Sequence, residues 1–144
     1  ITSYLELFLV EILEHHERYE KDVKISTSIH EYMKEEKLAI VINFLQENLH
    51  QNLTLDDICQ NTLLSRSSLQ KLFKEGTGHS VMDYFKEMKM DEIKHLIREE
   101  NHNFTEIAEI LGYSSIHYLS RTFKANTGMT LSEYASSVKA LLDN

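Results

Sequence analysis

Arg66, Ser67, Gln70, Lys71 and Lys74 lie within nine consecutive positions, and fifty residues later His117, Ser120, Arg121 and Lys124 restate the arrangement. Amide, hydroxyl and cationic side chains at this spacing donate and accept hydrogen bonds but supply no nucleophile beside a base, so their chemistry is recognition. Duplex DNA presents matching groups: acceptors on guanine, a donor and acceptor pair on adenine, and phosphates along both walls of the major groove. Gln70 suits adenine, and Lys71 and Arg121 suit guanine or phosphate. Lys74 and Lys124, one turn farther on, suit phosphates, as does Arg66. The hydroxyls of Ser67 and Ser120 suit base or backbone.

These residues belong to a duplicated unit. Residues 65–84 (SRSSLQKLFKEGTGHSVMDY) return as 115–134 (SIHYLSRTFKANTGMTLSEY), with seven of twenty positions identical. On a helical wheel centred on Leu69, the apolar Leu72 and Phe73 lie within about 60°, leaving Ser67, Gln70, Lys71 and Lys74 on the far side. Leu119 and Phe123 place His117, Ser120, Arg121 and Lys124 at the same four angles. A single such face would read as ordinary solvated helix. Two matched faces that carry five cations and no acid point to a partner that also repeats. Setting those five aside from the net charge of -8 leaves -13 on the rest, so the two faces are cationic islands on an acidic body.

The rest of the composition narrows the class. With no proline and four glycines in 144 residues, long helices are easy and tight hairpins scarce, which predicts an all-α fold. One cysteine, Cys59, rules out an internal disulfide and fits a reducing, cytoplasmic setting. No apolar run reaches the roughly 20 residues of a membrane helix. The eight histidines are scattered and none pairs with the cysteine at zinc-like spacing, so neither metal nor cofactor is expected. No phosphate loop or catalytic triad pattern is present, and enzyme activity is not expected.

Elements must hold the two faces in place. Residues 4–13 (YLELFLVEIL) predict a helix apolar on most sides, suited to a second chain or a missing domain, with a satellite core helix as the other reading. Residues 14–34 read as a polar linker, with Ser28 and Glu31 spaced as a capping box. Leu38, Val41, Ile42 and Leu45 predict one packed helix. Thr54 and Asp57 then mark the start of a helix-turn-helix unit at about 54–76, with Ile58 and Cys59 inward, and a long helix from Ser80 to about Asn101 sets the spacing to a second unit at about 105–127. That second unit buries Ile107, Ala108 and Leu111 and turns at Gly112. A last helix from Thr130 is expected to return Leu131, Tyr134, Val138 and Leu141 to the core.

Residues 35–142 resemble the DNA-binding domain of the AraC/XylS family of transcription regulators. The family pattern in the second unit is met by Ile107, Ala108, Gly112, Tyr113, Phe123, Lys124 and Gly128, and in the first by Leu64, Ser65, Leu69, Phe73, Lys74, Gly78 and Tyr84. Departures fall at Leu131, where the family often has proline, at Lys89 (arginine), and at Cys59 and Ile93 (alanine); Ile93 is expected to alter packing of the connecting helix. The resemblance implies a seven-helix module whose two recognition helices enter successive major-groove segments. It also implies activation through RNA polymerase, and an upstream sensing or dimerisation domain of which residues 1–34 would be the last helix and linker. A homodimer through residues 4–13 or through that domain is the oligomeric expectation. The alternative, from another class, is a helical interaction module that grips an acidic protein.

Overall fold

A computed structural model describes the backbone of residues 2–144 and side chains from residue 4 onward; Ile1, at the head of the expected 1–34 segment, lies outside them. All regular structure among the described residues is helical, in seven helices: α1 (Thr2–Glu47), α2 (Leu55–Thr62), α3 (Arg66–Thr77), α4 (Val81–Glu99), α5 (Phe104–Ile110), α6 (Ile116–Thr127) and α7 (Leu131–Leu142). The chain divides into two units, Ile1–Ala39 and Ile40–Asn144.

In the first unit no residue from 4 to 33 is buried, and Tyr4, Leu5, Leu7, Phe8, Leu9, Val10, Ile12 and Leu13 are all exposed. The expected linker at 14–34 is helical throughout. Its capping box does not form: Ser28 Oγ donates to the Lys24 carbonyl at 3.0 Å and Thr27 Oγ1 to that of Val23 at 2.9 Å, the back-bonding of hydroxyls inside a helix. Polarity alone does not end a helix. Glu, Lys and Arg are good helix formers, and no glycine or proline precedes Gly76 to interrupt them. The helix expected around Leu38–Leu45 is therefore the final stretch of α1.

The second unit holds the core. Val41, Leu45 and Leu49 are buried, and α4 makes contact with α3, α5 and α7, so that the connecting helix is the member both helix pairs share. Along it Val81, Phe85, Met90, Ile93, Leu96 and Ile97 are buried; Ile93 is fully enclosed. Ile58, Leu69 and Phe73 fill the first helix pair, and Ile107, Ala108, Leu119 and Phe123 the second. Two expectations fail at the edges. Cys59 is only half-buried, because Ile58 takes the inward position of α2. Leu141 is 78% exposed: Leu131 is the buried residue of α7, and the last turn lies without cover.

Candidate nucleic-acid interface

The two candidate recognition helices are built alike, bond by bond. Ser65 and Ser115 cap α3 and α6, each accepting from the backbone N–H three residues on, Ser68 at 3.2 Å and Tyr118 at 3.1 Å. Gly78 and Gly128 end them in the left-handed region, at φ 79° and 77°, and donate back to the carbonyls of Lys74 and Lys124. Thr77 and Thr127 donate to the Phe73 and Phe123 carbonyls, each at 2.7 Å, and accept from the N–H two residues later. Phe73 meets Tyr84 edge-on at 5.5 Å, and Phe123 meets Tyr134 at 5.7 Å. Tyr84 and Tyr134 thus brace the recognition helices from behind. The repeat seen in sequence is a repeat of caps, exits and ring contacts.

With Leu69 and Phe73 fully buried, Arg66, Ser67, Gln70, Lys71 and Lys74 all stand on the exposed side of α3. With Leu119 and Phe123 buried, His117, Arg121 and Lys124 stand on the exposed side of α6, whereas Ser120 is half-buried on the flank nearer the core. The two faces differ in how their cations are engaged. Arg66 donates through Nε at 2.8 Å to Asp56 Oδ1 and places Nη2 at 2.6 Å from the same oxygen, a pairing that raises its already high pKa. Lys71 lies 3.9 Å from Glu75, and Lys74 donates to the Gly78 carbonyl at 3.1 Å. The side chains of Arg121 and Lys124 make no hydrogen bond or ion pair with any described residue.

Sequence reasoning missed the contact that ties the second pair to the spacer. Lys89, on α4, is 6% exposed and has no acid beside it. Its Nζ donates to the Leu111 carbonyl at 2.9 Å and to Asn52 Oδ1 at 3.3 Å, and lies 5.2 Å and 5.3 Å from the ring centres of Phe85 and Tyr113. Asn52 Nδ2 in turn donates to the Gly112 carbonyl at 2.6 Å. Burial pulls the Lys89 pKa down to about 8 and pushes the Tyr113 phenol up to about 12. A lysine four residues after Phe85 and four before Ile93, on the apolar stripe of the helix, was the available signal. Arg66–Asp56 had none, since the partners sit on different helices.

A family model described as a helix-turn-helix domain matches residues 58–137, more than half of the chain, from inside α2 into α7. The HTH-type transcriptional activator RhaR of Yersinia pestis bv. Antiqua (strain Angola) is 29% identical over 134 residues, 93% of this chain and 44% of RhaR. A regulator from Chromobacterium violaceum, titled as carrying an AraC-type DNA-binding domain, superposes with a TM-score of 0.65 at 24% identity, over 72% of this chain and 93% of that one. The chain belongs to the AraC/XylS family of DNA-binding transcription regulators. The DNA-binding domain of AdpA, solved with a target DNA, shares the AraC-type fold at a TM-score of 0.65 and 20% identity, again over 72% of this chain and 93% of that one. The chain spans less than half the length of RhaR.

Proposed function

We propose that this AraC-type chain reads an asymmetric stretch of duplex DNA by laying α3 and α6 into successive major-groove segments, with contact centres about 34 Å apart along the duplex. The observation that carries the reading is the bond-for-bond match of the two capped helices, each presenting cations on the side away from its buried phenylalanine. Gln70 reads adenine; Lys71 and Arg121 read guanine or hold phosphate; Lys74, Lys124 and Arg66 hold phosphates; Ser67, His117 and the flanking Ser120 complete the two faces. The chain activates transcription, a role supported by the name of RhaR as an activator, and does so through contact with RNA polymerase. The exposed apolar stretch 4–13 supports self-association or contact with a further domain, and a cytoplasmic setting suits such a regulator.

Binding of mixed duplex DNA and of single-stranded DNA across a salt titration tests the reading. A duplex preference with a steep salt slope is expected; equal binding to both, or a preference for acidic protein, would favour the rival interaction module. On the best site selected from a random pool, Arg121→Ala is expected to relax base choice at a cost of about 1–3 kcal/mol. An equal loss on random duplex would reassign Arg121 to a phosphate.

A further inference from the structure

Between the start of α2, the first half of α4 and the flank of α6 lies a cleft of about 520 Å³, lined among others by Thr54, Asp83, Lys86, Lys89, Tyr118 and Thr122. Its two lips adjoin the two recognition helices. On one side, Thr54 caps α2 two residues before Asp56, and Asp56 is bonded to Arg66, the first residue of α3. On the other, Tyr118 is the third residue of α6 and sits about 60° round the helix from Arg121, about half exposed, with its ring centre 5.7 Å from that of Tyr113.

The lining is mostly apolar, with Leu53, Met82, Phe85 and Tyr113 on it, and Lys86 and Lys89 are its two cations. Lys86 is exposed and makes no hydrogen bond or ion pair with any described residue, and the buried Lys89 ammonium behind it meets only a carbonyl, an amide oxygen and two ring faces. Tyr118 and Thr122 also line the space, and Asp83 is the one acid on the lining. A protein that reads two successive major-groove segments from one side also passes over the minor groove between them, whose rims are lined by backbone phosphates.

We infer that this cleft receives the phosphate strand running between the two major-groove segments, with Lys86 and the Tyr118 hydroxyl as its contacts and Asp83 as a restraint on their strength. The inference rests on the two-helix reading given above and adds a third, sequence-independent point of attachment. Lys86 takes the phosphate charge, Tyr118 donates a single hydrogen bond, and the Lys89 ammonium adds positive charge from behind below pH 8.

The test uses the full chain and a duplex selected for tight binding. Lys86→Gln is expected to weaken binding about 3- to 10-fold, with the same fold-loss on duplexes altered in either half-site, and to lower the salt slope by about one. Asp83→Asn is expected to act in the opposite direction, tightening every sequence alike. Neutral methylphosphonates placed midway between the half-sites should weaken the wild-type chain and cost Lys86→Gln much less. Unchanged affinity and slope in Lys86→Gln, or an equal methylphosphonate penalty in both proteins, overturns the inference while leaving the two-helix reading intact. If the wild type shows no preference for duplex, the reading itself fails and the inference falls with it. Unchanged thermal unfolding of both variants, expected because the side chains lie at the surface, excludes loss of fold as the cause.

Discussion

Lys89 carries an ammonium into the middle of the second unit with only dipoles and ring faces for company, and that choice has a pH signature. Its pKa is about 8 in the fold against 10.5 for a free lysine. Between those two values the unfolded chain holds a proton that the folded chain has released, so stability rises with pH through this window. Below pH 8 the burial cost of the charge is fully present. Tyr113 acts in the opposite sense higher up: its phenol ionises near 10 when unfolded and near 12 when folded, so stability falls between those values. Urea midpoints measured from pH 7 to 11 are expected to climb from 8 to 10 and then flatten, and Lys89→Met is expected to lose the climb. Equal pH slopes in both proteins would show that Lys89 ionises alike in the folded and unfolded states. At this scale the exposure of Gln70, Lys71, Arg121 and Lys124 was legible, because helical phase alone places them away from Leu69, Phe73, Leu119 and Phe123. Lys89 escaped because a lysine on an apolar stripe reads as a departure, and its partners, Leu111 and Asn52, are 22 and 37 residues away.

At the scale of elements, the turn inside each helix pair shows how far a duplication can be followed before context takes over. Leu63 and Gly112 occupy matching places, and both adopt the left-handed region, at φ 57° and 72°. Leucine pays little at its site beyond the backbone strain, because Leu63 is 92% exposed. Glycine is required at the other, because a Cβ on Gly112 would lie 2.2 Å from the His50 carbonyl oxygen, a backbone atom that cannot swing aside. Gly112→Ala is therefore expected to cost more than about 4 kcal/mol, whereas Gly78→Ala and Gly128→Ala, with open space around them, should cost about 1 kcal/mol each. Chemical denaturation of the three variants checks the ranking, and a mild Gly112→Ala would mean that the loop at His50 gives way. The helix starts and ends around the two recognition helices were legible because caps and glycine exits are local signals, as at Thr54, Ser65, Gly78, Ser115 and Gly128. The long α1 was not: stretches such as 14–34 lack an apolar stripe, and the absence of a breaker weighed more than their polarity.

For the whole molecule, two similar faces on one chain do not make two equal contributions. All three cations on α3 have intramolecular partners, Arg66 with Asp56, Lys71 with Glu75 and Lys74 with the Gly78 carbonyl, while Arg121 and Lys124 on α6 have none among the described residues. The two ion pairs are well exposed, so solvent screening leaves each a weak restraint on its cation. On the two-helix reading proposed above, they are expected to bias binding toward α6, because a phosphate or a guanine must displace Asp56 or Glu75 to reach Arg66 or Lys71. Scrambling the half-site read by α6 is thus expected to weaken binding more than scrambling the half-site read by α3, with the two sites distinguished by footprinting on an asymmetric duplex. Asp56→Asn with Glu75→Gln should narrow the difference by strengthening the α3 side, at the cost of tighter binding to unrelated duplex. If both scrambled duplexes lose affinity equally and the double variant changes neither, the acids beside α3 have no part in setting the order in which the two helices engage.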